Sequence, residues 1–211
     1  MKTCFIFGAL GVSKMPILPQ KNDLIIAADK GFDVATKLGI TPDIIVGDFD
    51  SLGLIPDGDN IIKLNIRKDD TDTAHCIEIA KEKGYRNFYI YGAVGGRLDH
   101  TVANIQLASS LAQDGFTAVF IGEKESFTVI KNKSVIFDAA AQGRVSVFSL
   151  CDQSYGVTEK GLSYTLNDGI LYRNEPLGIS NEFIGEESEI SVKSGELLVV
   201  WEAACLPKFY D

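Results

Sequence analysis

Six short strand-like runs, most of them apolar at successive positions, constrain this chain more than any other feature in it. They are Thr3–Phe7, Leu24–Ala28, Ile44–Val46, Ile61–Leu64, Phe88–Tyr91 and Ala118–Ile121, and glycine, proline or aspartate punctuates the sequence around them. A strand with one wet face alternates apolar and polar residues, whereas a strand covered on both faces is apolar at successive positions. Runs of this kind belong in a buried, mostly parallel sheet. Parallel strands need crossover connections, and helical patterns supply several of them. Gly31–Leu38 carries Phe32, Ala35 and Leu38 on one face and stops at Gly39. Asp72–Lys83 carries Ala74, Ile77 and Ala80 and stops at Gly84. Leu98–Ala112 places Leu98, Val102, Ile105 and Ala112 on one face. The expected architecture is an α/β unit with helices on both faces of the sheet.

The texture changes after about Lys124. No helical periodicity appears between Ser126 and Trp201. Short segments recur instead: Phe127–Ile130, Ser134–Phe137, Arg144–Leu150, Tyr155–Thr158, Ile170–Tyr172, Glu189–Val192 and Leu197–Trp201. Asn-Lys, Gln-Gly, Asn-Asp-Gly and Lys-Ser-Gly-Glu separate them at hairpin spacing. This reads as a C-terminal all-β sandwich. The division expected is 1–125 for the α/β domain and 126–211 for the β domain.

Composition excludes several classes. The net charge is −9 and no basic stripe is present, which argues against nucleic acid as a partner. No apolar run reaches the ~20 residues needed to span a membrane. Cys4, Cys76, Cys151 and Cys205 are widely spaced, with no Cys-x-x-Cys, so they read as reduced thiols and favour a cytoplasmic location. An acidic chain that binds an anionic nucleotide needs a means of offsetting repulsion, and a bound divalent cation is the usual one.

The acidic residues cluster where strands end. Asp29 follows the second run, Gly47-Asp48-Phe49-Asp50-Ser51 the third, and Lys68-Asp69-Asp70-Thr71-Asp72 the fourth. The segment Gly92-Ala93-Val94-Gly95-Gly96-Arg97-Leu98-Asp99-His100 follows the fifth. In a parallel sheet all four emerge at the carboxyl edge, where open α/β sheets bind ligands. Asp48 and Asp50, two apart on an extended stretch, point the same way and offer hard oxygen ligands suited to Mg²⁺; the plainer reading is a turn capped by its own aspartates. Asp70 or Thr71 could cap the following helix, with Asp72 in its first turn. Three carboxylates in four residues exceed what a cap needs, and sharing a cation relieves their crowding. Lys68 either contacts a phosphate or offsets those acids. The glycine-rich segment matches neither the P-loop nor the dinucleotide fingerprint, but glycines ahead of a helix admit phosphates, and Arg97 could clamp one. Asp99 is also a candidate helix cap. His100 and Asn104 lie one turn apart and could share a cleft-facing side. His75 reads as packing or solvent-facing, and nothing suggests a covalent nucleophile.

These residues, in this order and spacing, resemble the thiamin pyrophosphokinase family. The resemblance is carried by Ala28-Asp29-Lys30-Gly31, Pro42 through Ser51, Lys68 through Asp72 and Gly95 through His100. Gly161-Leu162-Ser163-Tyr164-Thr165-Leu166 and Gly178-Ile179-Ser180-Asn181 extend it into the C-terminal part, so it covers nearly the whole chain. Lys30 stands where many members have a small residue, and Tyr164 where some have tryptophan.

The resemblance implies an enzyme that transfers the pyrophosphoryl group of ATP to the hydroxyl of thiamin, releasing AMP. It implies Mg²⁺ held with the phosphates by Asp48, Asp50 and Asp72. Asp29, Lys68, Asp69, Arg97, Asp99, His100 and Asn104 would line the nucleotide and phosphate region. Tyr164, Ser180 and Asn181 would contact thiamin. It further implies a homodimer with active sites at the subunit interface. Two other readings stay open from the residues: a Mg²⁺-dependent kinase or pyrophosphokinase of another small alcohol, and a non-catalytic nucleotide or thiamin sensor. For Tyr164, a strand over 161–166 would put Leu162, Tyr164 and Leu166 on one face, either all in the core or with Tyr164 at the cleft.

Overall fold

The computed structural model describes residues 2–47, 61–63, 71–202 and 205–210. Contacts divide the chain into two units, Met1–Asn104 with Phe120–Glu123, and Ile105–Val119 with Lys124–Asp211.

The first unit holds β1 (Thr3–Phe7), β2 (Leu24–Ala28), α1 (Gly31–Lys37), β3 (Ile44–Gly47), β4 (Ile61–Lys63), α2 (Asp72–Glu82), β5 (Asn87–Tyr91) and the start of α3 (Leu98–Gln113). The strands lie in the order β5-β1-β2-β3-β4, and every pairing is parallel. In β1, Cys4, Phe5, Ile6 and Phe7 are all buried, so both faces of the strand are covered, as its unbroken apolar run requires. Phe5 stacks on Tyr89 and Phe7 on Tyr91 across the β1–β5 pair. Thr71 caps α2, its hydroxyl accepting from the Ala74 N–H at 3.2 Å.

The face expected of α3 is corrected. Leu98 is 77% exposed and Val102 48% exposed; the buried line is Asn104, Ala108 and Leu111. Counting only apolar residues leaves out Asn104, whose amide is satisfied inside by a backbone carbonyl and therefore tolerates burial. Helix α1 also differs in detail, burying Gly31, Val34 and Ala35.

The division between the units runs through α3 and β6 (Thr117–Ile121). The second unit then contributes β7 (Glu125–Lys131), β8 (Ser134–Phe137), β9 (Arg144–Ser149), β10 (Gln153–Lys160), β11 (Leu166–Tyr172), β12 (Gly178–Glu182), β13 (Ser188–Ser191), β14 (Glu196–Glu202) and β15 (Lys208–Tyr210). They form two antiparallel layers, β12-β9-β14-β7 and β11-β10-β13-β8-β15. Phe137 of one layer packs edge-on against Trp201 of the other at 5.2 Å between ring centroids, which joins them as a sandwich. Strands β12 and β15 are additions to the expected set. Ile179-Ser180-Asn181 carries too little apolar pattern to announce a strand, and it is held by pairing with β9.

Cys4 and Cys76 are buried, Cys151 and Cys205 half-buried, and none of the four is in a disulfide. Among the described residues no helix is long and apolar enough to cross a membrane.

Candidate active site

Parallel register brings the strand ends of the first unit to one level. Phe7 lies opposite both Ala27 and Tyr91, Ala28 opposite Val46, and Gly47 opposite Lys63. The segments leaving these strands therefore start at a common carboxyl edge. The chain turns to β2 after β1 but reaches β5, on the other side of β1, only after β4. The gap between β1 and β5 is thus the switch point at which open sheets bind ligands.

Glycines let the backbone close up at that point. A Cβ on Gly92 would sit 2.1 Å from the Leu10 carbonyl oxygen, and Gly92 has φ +69°. The Gly8 N–H donates to the Tyr91 carbonyl at 2.7 Å, and Leu10 N–H to the Gly92 carbonyl at 3.1 Å. The long connection between β1 and β2 is tied down twice more. Both the N–H and the hydroxyl of Ser13 donate to Glu123 at 2.6 Å, and the Tyr91 hydroxyl donates to the Ile17 carbonyl at 2.9 Å. The two Ser13 bonds hold the Glu123 carboxyl below its ordinary pKa.

Asp29 follows β2 with φ +48°, a left-handed conformation that a non-glycine residue adopts at some cost. Its N–H donates to the Val46 carbonyl at 2.7 Å, which fixes it at the end of β3. Asp72 opens α2 directly after the Thr71 cap. Arg97 and Asp99 form a fork, with Nε to Oδ1 at 3.1 Å and Nη2 to Oδ2 at 2.5 Å. The Arg97 hydrogen bond is the main reason the Asp99 carboxyl lies below its ordinary pKa, and Asp99 also accepts the His100 N–H. Arg97, Asp99 and His100 are exposed, whereas Asn104 is buried and donates to the Ala93 carbonyl at 2.7 Å. His100 and Asn104 thus occupy different environments: His100 faces solvent and Asn104 anchors the glycine-rich segment to α3. Asp48, Asp50, Lys68 and Asp69 lie outside the described residues, and no cluster of three metal-ligating side chains occurs among the described ones.

In the second unit Tyr164 and Asn181 come together. The Tyr164 N–H donates to Asn181 Oδ1 at 2.9 Å, and Asn181 Nδ2 donates to the Tyr164 carbonyl at 2.7 Å. Residues 161–165 do not form the expected strand, and the shared face is corrected. Leu162 is 2% exposed and pairs with Phe183, while Tyr164 is 74% exposed, so Tyr164 is not core. Gly161 turns the chain at φ +66°, and bends at Ser163 and Tyr164 replace the extended backbone that alternation requires. Ser180 is exposed with φ +60°, at a register shift between Gly178 and Asn181 that sends Ser180 outward and Asn181 inward. Its N–H donates to Ser146 Oγ at 3.0 Å.

Two family models cover this chain in succession. One describes the thiamin pyrophosphokinase catalytic domain and matches residues 16–120; the other describes the vitamin B1 binding domain of the same enzyme and matches residues 134–198. The chain belongs to the thiamin pyrophosphokinase family. The thiamine pyrophosphokinase of Bacillus subtilis (strain 168) is 26% identical over 210 residues, covering 95% of this chain and 98% of the relative. A crystal structure of a Bacillus subtilis thiamine pyrophosphokinase is similar in fold, with a TM-score of 0.79 at 24% identity over 96% of this chain and all of the other. The thiamin pyrophosphokinase of Candida albicans has a TM-score of 0.75 at 19% identity, covering 95% and 90% of the two chains. The family's activity is ATP-dependent formation of thiamin diphosphate, a diphosphate-group transfer.

Two features of the site were outside the reach of sequence reasoning. One is the buried Glu159, which accepts a hydrogen bond from Asn181 at 2.9 Å. The other is the tie between Ser13 and Glu123, residues separated by 110 positions. A glutamate on a strand carries no local signal that it points inward.

Proposed function

We propose that residues 1–125 bind ATP and Mg²⁺ at the carboxyl edge and that residues 126–211 bind thiamin through the Tyr164 segment. The observation that carries this assignment is the common level of the strand ends, from which Asp29 and the glycine-rich segment depart and where β3 ends at Gly47. Asp48, Asp50 and Asp72 are the residues that would hold Mg²⁺. An all-carboxylate donor set suits this hard cation, which draws its remaining ligands from water and phosphate. When bound, it would offset the charge of the triphosphate.

The protein's own groups position the reactants. Lys68, Asp69 and Arg97 lie along the phosphates, with Arg97 presented by its fork to Asp99. Asp29 and His100 border the nucleotide, and Asn104 acts by holding the 92–97 segment in place. Tyr164 offers its exposed ring to the cationic thiazolium, Ser180 lies toward the aminopyrimidine, and Asn181, buried with its amide fully engaged, serves thiamin by holding the Tyr164 segment in place. The thiamin hydroxyl attacks the β-phosphorus, AMP leaves, and a carboxylate of the acidic segments, such as Asp72, accepts the hydroxyl proton. Alignment and charge neutralisation supply most of the acceleration, as in other phosphoryl transfers.

Exposed Leu177, Ile179 and Ile184, on and beside β12, support a homodimer whose active sites lie at the subunit interface. Four cysteines outside any disulfide agree with a cytoplasmic location. The test is incubation with thiamin, ATP and Mg²⁺ followed by identification of both products. Thiamin diphosphate with AMP is expected; ADP, or no turnover of thiamin, would overturn the assignment.

A further inference from the structure

Glu159 stands where the β sandwich has every reason to place an apolar residue. It lies on β10, in a stretch from Gly156 to Glu159 that is buried throughout, and it is only 3% exposed. Burial pushes its carboxyl pKa up, and the Asn181 hydrogen bond only partly opposes that. A carboxyl group at such a position costs stability unless its hydrogen bonds are made, so what it touches matters.

What it touches is one hydrogen of the Asn181 amide, Nδ2 to Oε2 at 2.9 Å. Asn181 is itself 4% exposed. Its other amide hydrogen goes to the Tyr164 carbonyl at 2.7 Å, and its Oδ1 accepts the N–H groups of Tyr164 and Glu182, both at 2.9 Å. Every donor and acceptor of the amide is thereby used. An asparagine amide has nearly the same shape when rotated by half a turn, so only its partners decide which end points where. Glu159 can hold the NH₂ end toward itself because it presents an acceptor. That same orientation lets Asn181 grip both the N–H and the carbonyl of Tyr164. Rotated, the amide would set oxygen against oxygen at Tyr164.

The grip matters because Tyr164 has little else. It sits in a segment with no strand of its own, and its side chain is 74% exposed. The placement of the ring follows from the placement of its backbone. Resting on the reading of Tyr164 as the thiamin platform, we propose that Glu159 is a positioning residue: it orients the Asn181 amide, which fixes the Tyr164 backbone and so the ring that meets thiamin.

Three variants of the full chain test this. Glu159→Met removes the acceptor and keeps the side-chain length, Glu159→Gln keeps an acceptor, and Tyr164→Ala removes the ring; Glu159→Leu replaces the methionine variant if that does not fold. The first readout is amide hydrogen exchange over residues 161–165 without ligand, which is independent of any role in binding. Glu159→Met should speed exchange at the Tyr164 N–H by about tenfold or more, and Glu159→Gln should leave it near the parent value. The second is steady-state kinetics. Glu159→Met should raise the thiamin KM by about three- to tenfold with the ATP KM unchanged, and it should add little in a Tyr164→Ala background. Unchanged exchange in Glu159→Met, or equal loss in Glu159→Gln, overturns the positioning role. Faster exchange with no change of thiamin KM in Glu159→Met, while Tyr164→Ala raises it, overturns the link from position to binding. A Tyr164→Ala variant with the parent's thiamin KM overturns the platform reading itself, and with it the substrate role given to Glu159.

Discussion

Gly31→Ala adds one methyl group at the point where the candidate nucleotide site joins the sheet. The Cβ would sit 1.8 Å from the Phe7 carbonyl oxygen and 2.5 Å from its carbonyl carbon, against an ordinary contact of at least 3.4 Å. Those atoms belong to backbone at the end of β1, in register with both β2 and β5, so they cannot rotate away. Relief requires α1 to move off β1 by about 1.5 Å, which loosens Val34 and Ala35 in the core. Overpacking in a close-packed interior costs about 1–3 kcal/mol, and an obstruction made of backbone belongs at the upper end. At about 2–4 °C per kcal/mol for a chain of this size, a loss of about 3 kcal/mol lowers Tm by roughly 6–12 °C. The displacement also reaches Asp29, whose carbonyl accepts the Phe32 N–H at 3.2 Å, so the ATP KM should rise while the thiamin KM changes less. Thermal melts followed by circular dichroism, with KM for both substrates, check this. Gly11→Ala is the control: nothing lies within 4 Å of its added Cβ, and it should match the parent. A Gly31→Ala protein with Tm within 1–2 °C of the parent and an unaltered ATP KM would refute the argument from close approach.

Asp48→Asn and Asp50→Asn should each lower kcat by about two orders of magnitude or more in a Mg²⁺-dependent assay, the scale of losing one preorganised charge; near-normal rates that do not depend on Mg²⁺ would sink the metal assignment. Tyr164→Ala should raise the thiamin KM by about two- to thirtyfold, leave the ATP KM unchanged and barely move Tm, since the side chain is 74% exposed; Tyr164→Phe should be mild. Because its folded-state pKa is depressed, Asp99 favours the fork at neutral pH and loses it as pH falls through that depressed value. Carboxyl NMR should place Asp99 below 3.8, and Arg97→Gln should return it toward that value. Sedimentation at micromolar concentration should give twice the chain mass; a fully active monomer would rule out the interface site.

The α/β class and the parallel edge were legible in the residues alone. Unbroken apolar runs such as Cys4–Phe7 are tolerated only where both faces are covered, and Asp and Gly mark where such a strand must stop. The family resemblance was legible for the same reason, because Asp29, Asp72 and Arg97 belong to contiguous stretches whose order survives without coordinates. Tertiary structure alone decided the rest. Whether Tyr164 was core or surface depended on the chain bending at Ser163 and Tyr164 after Leu162 pairs with Phe183, and alternation, which assumes extended backbone, could not foresee that. The buried line of α3 depended on Asn104 finding the Ala93 carbonyl, which makes a polar residue acceptable inside. Glu159 reads as an ordinary strand glutamate until Asn181, 22 residues later, folds onto it. A polar side chain takes its role from its partners, and when those partners lie across a sheet or beyond a turn, only the fold brings them within hydrogen-bonding reach.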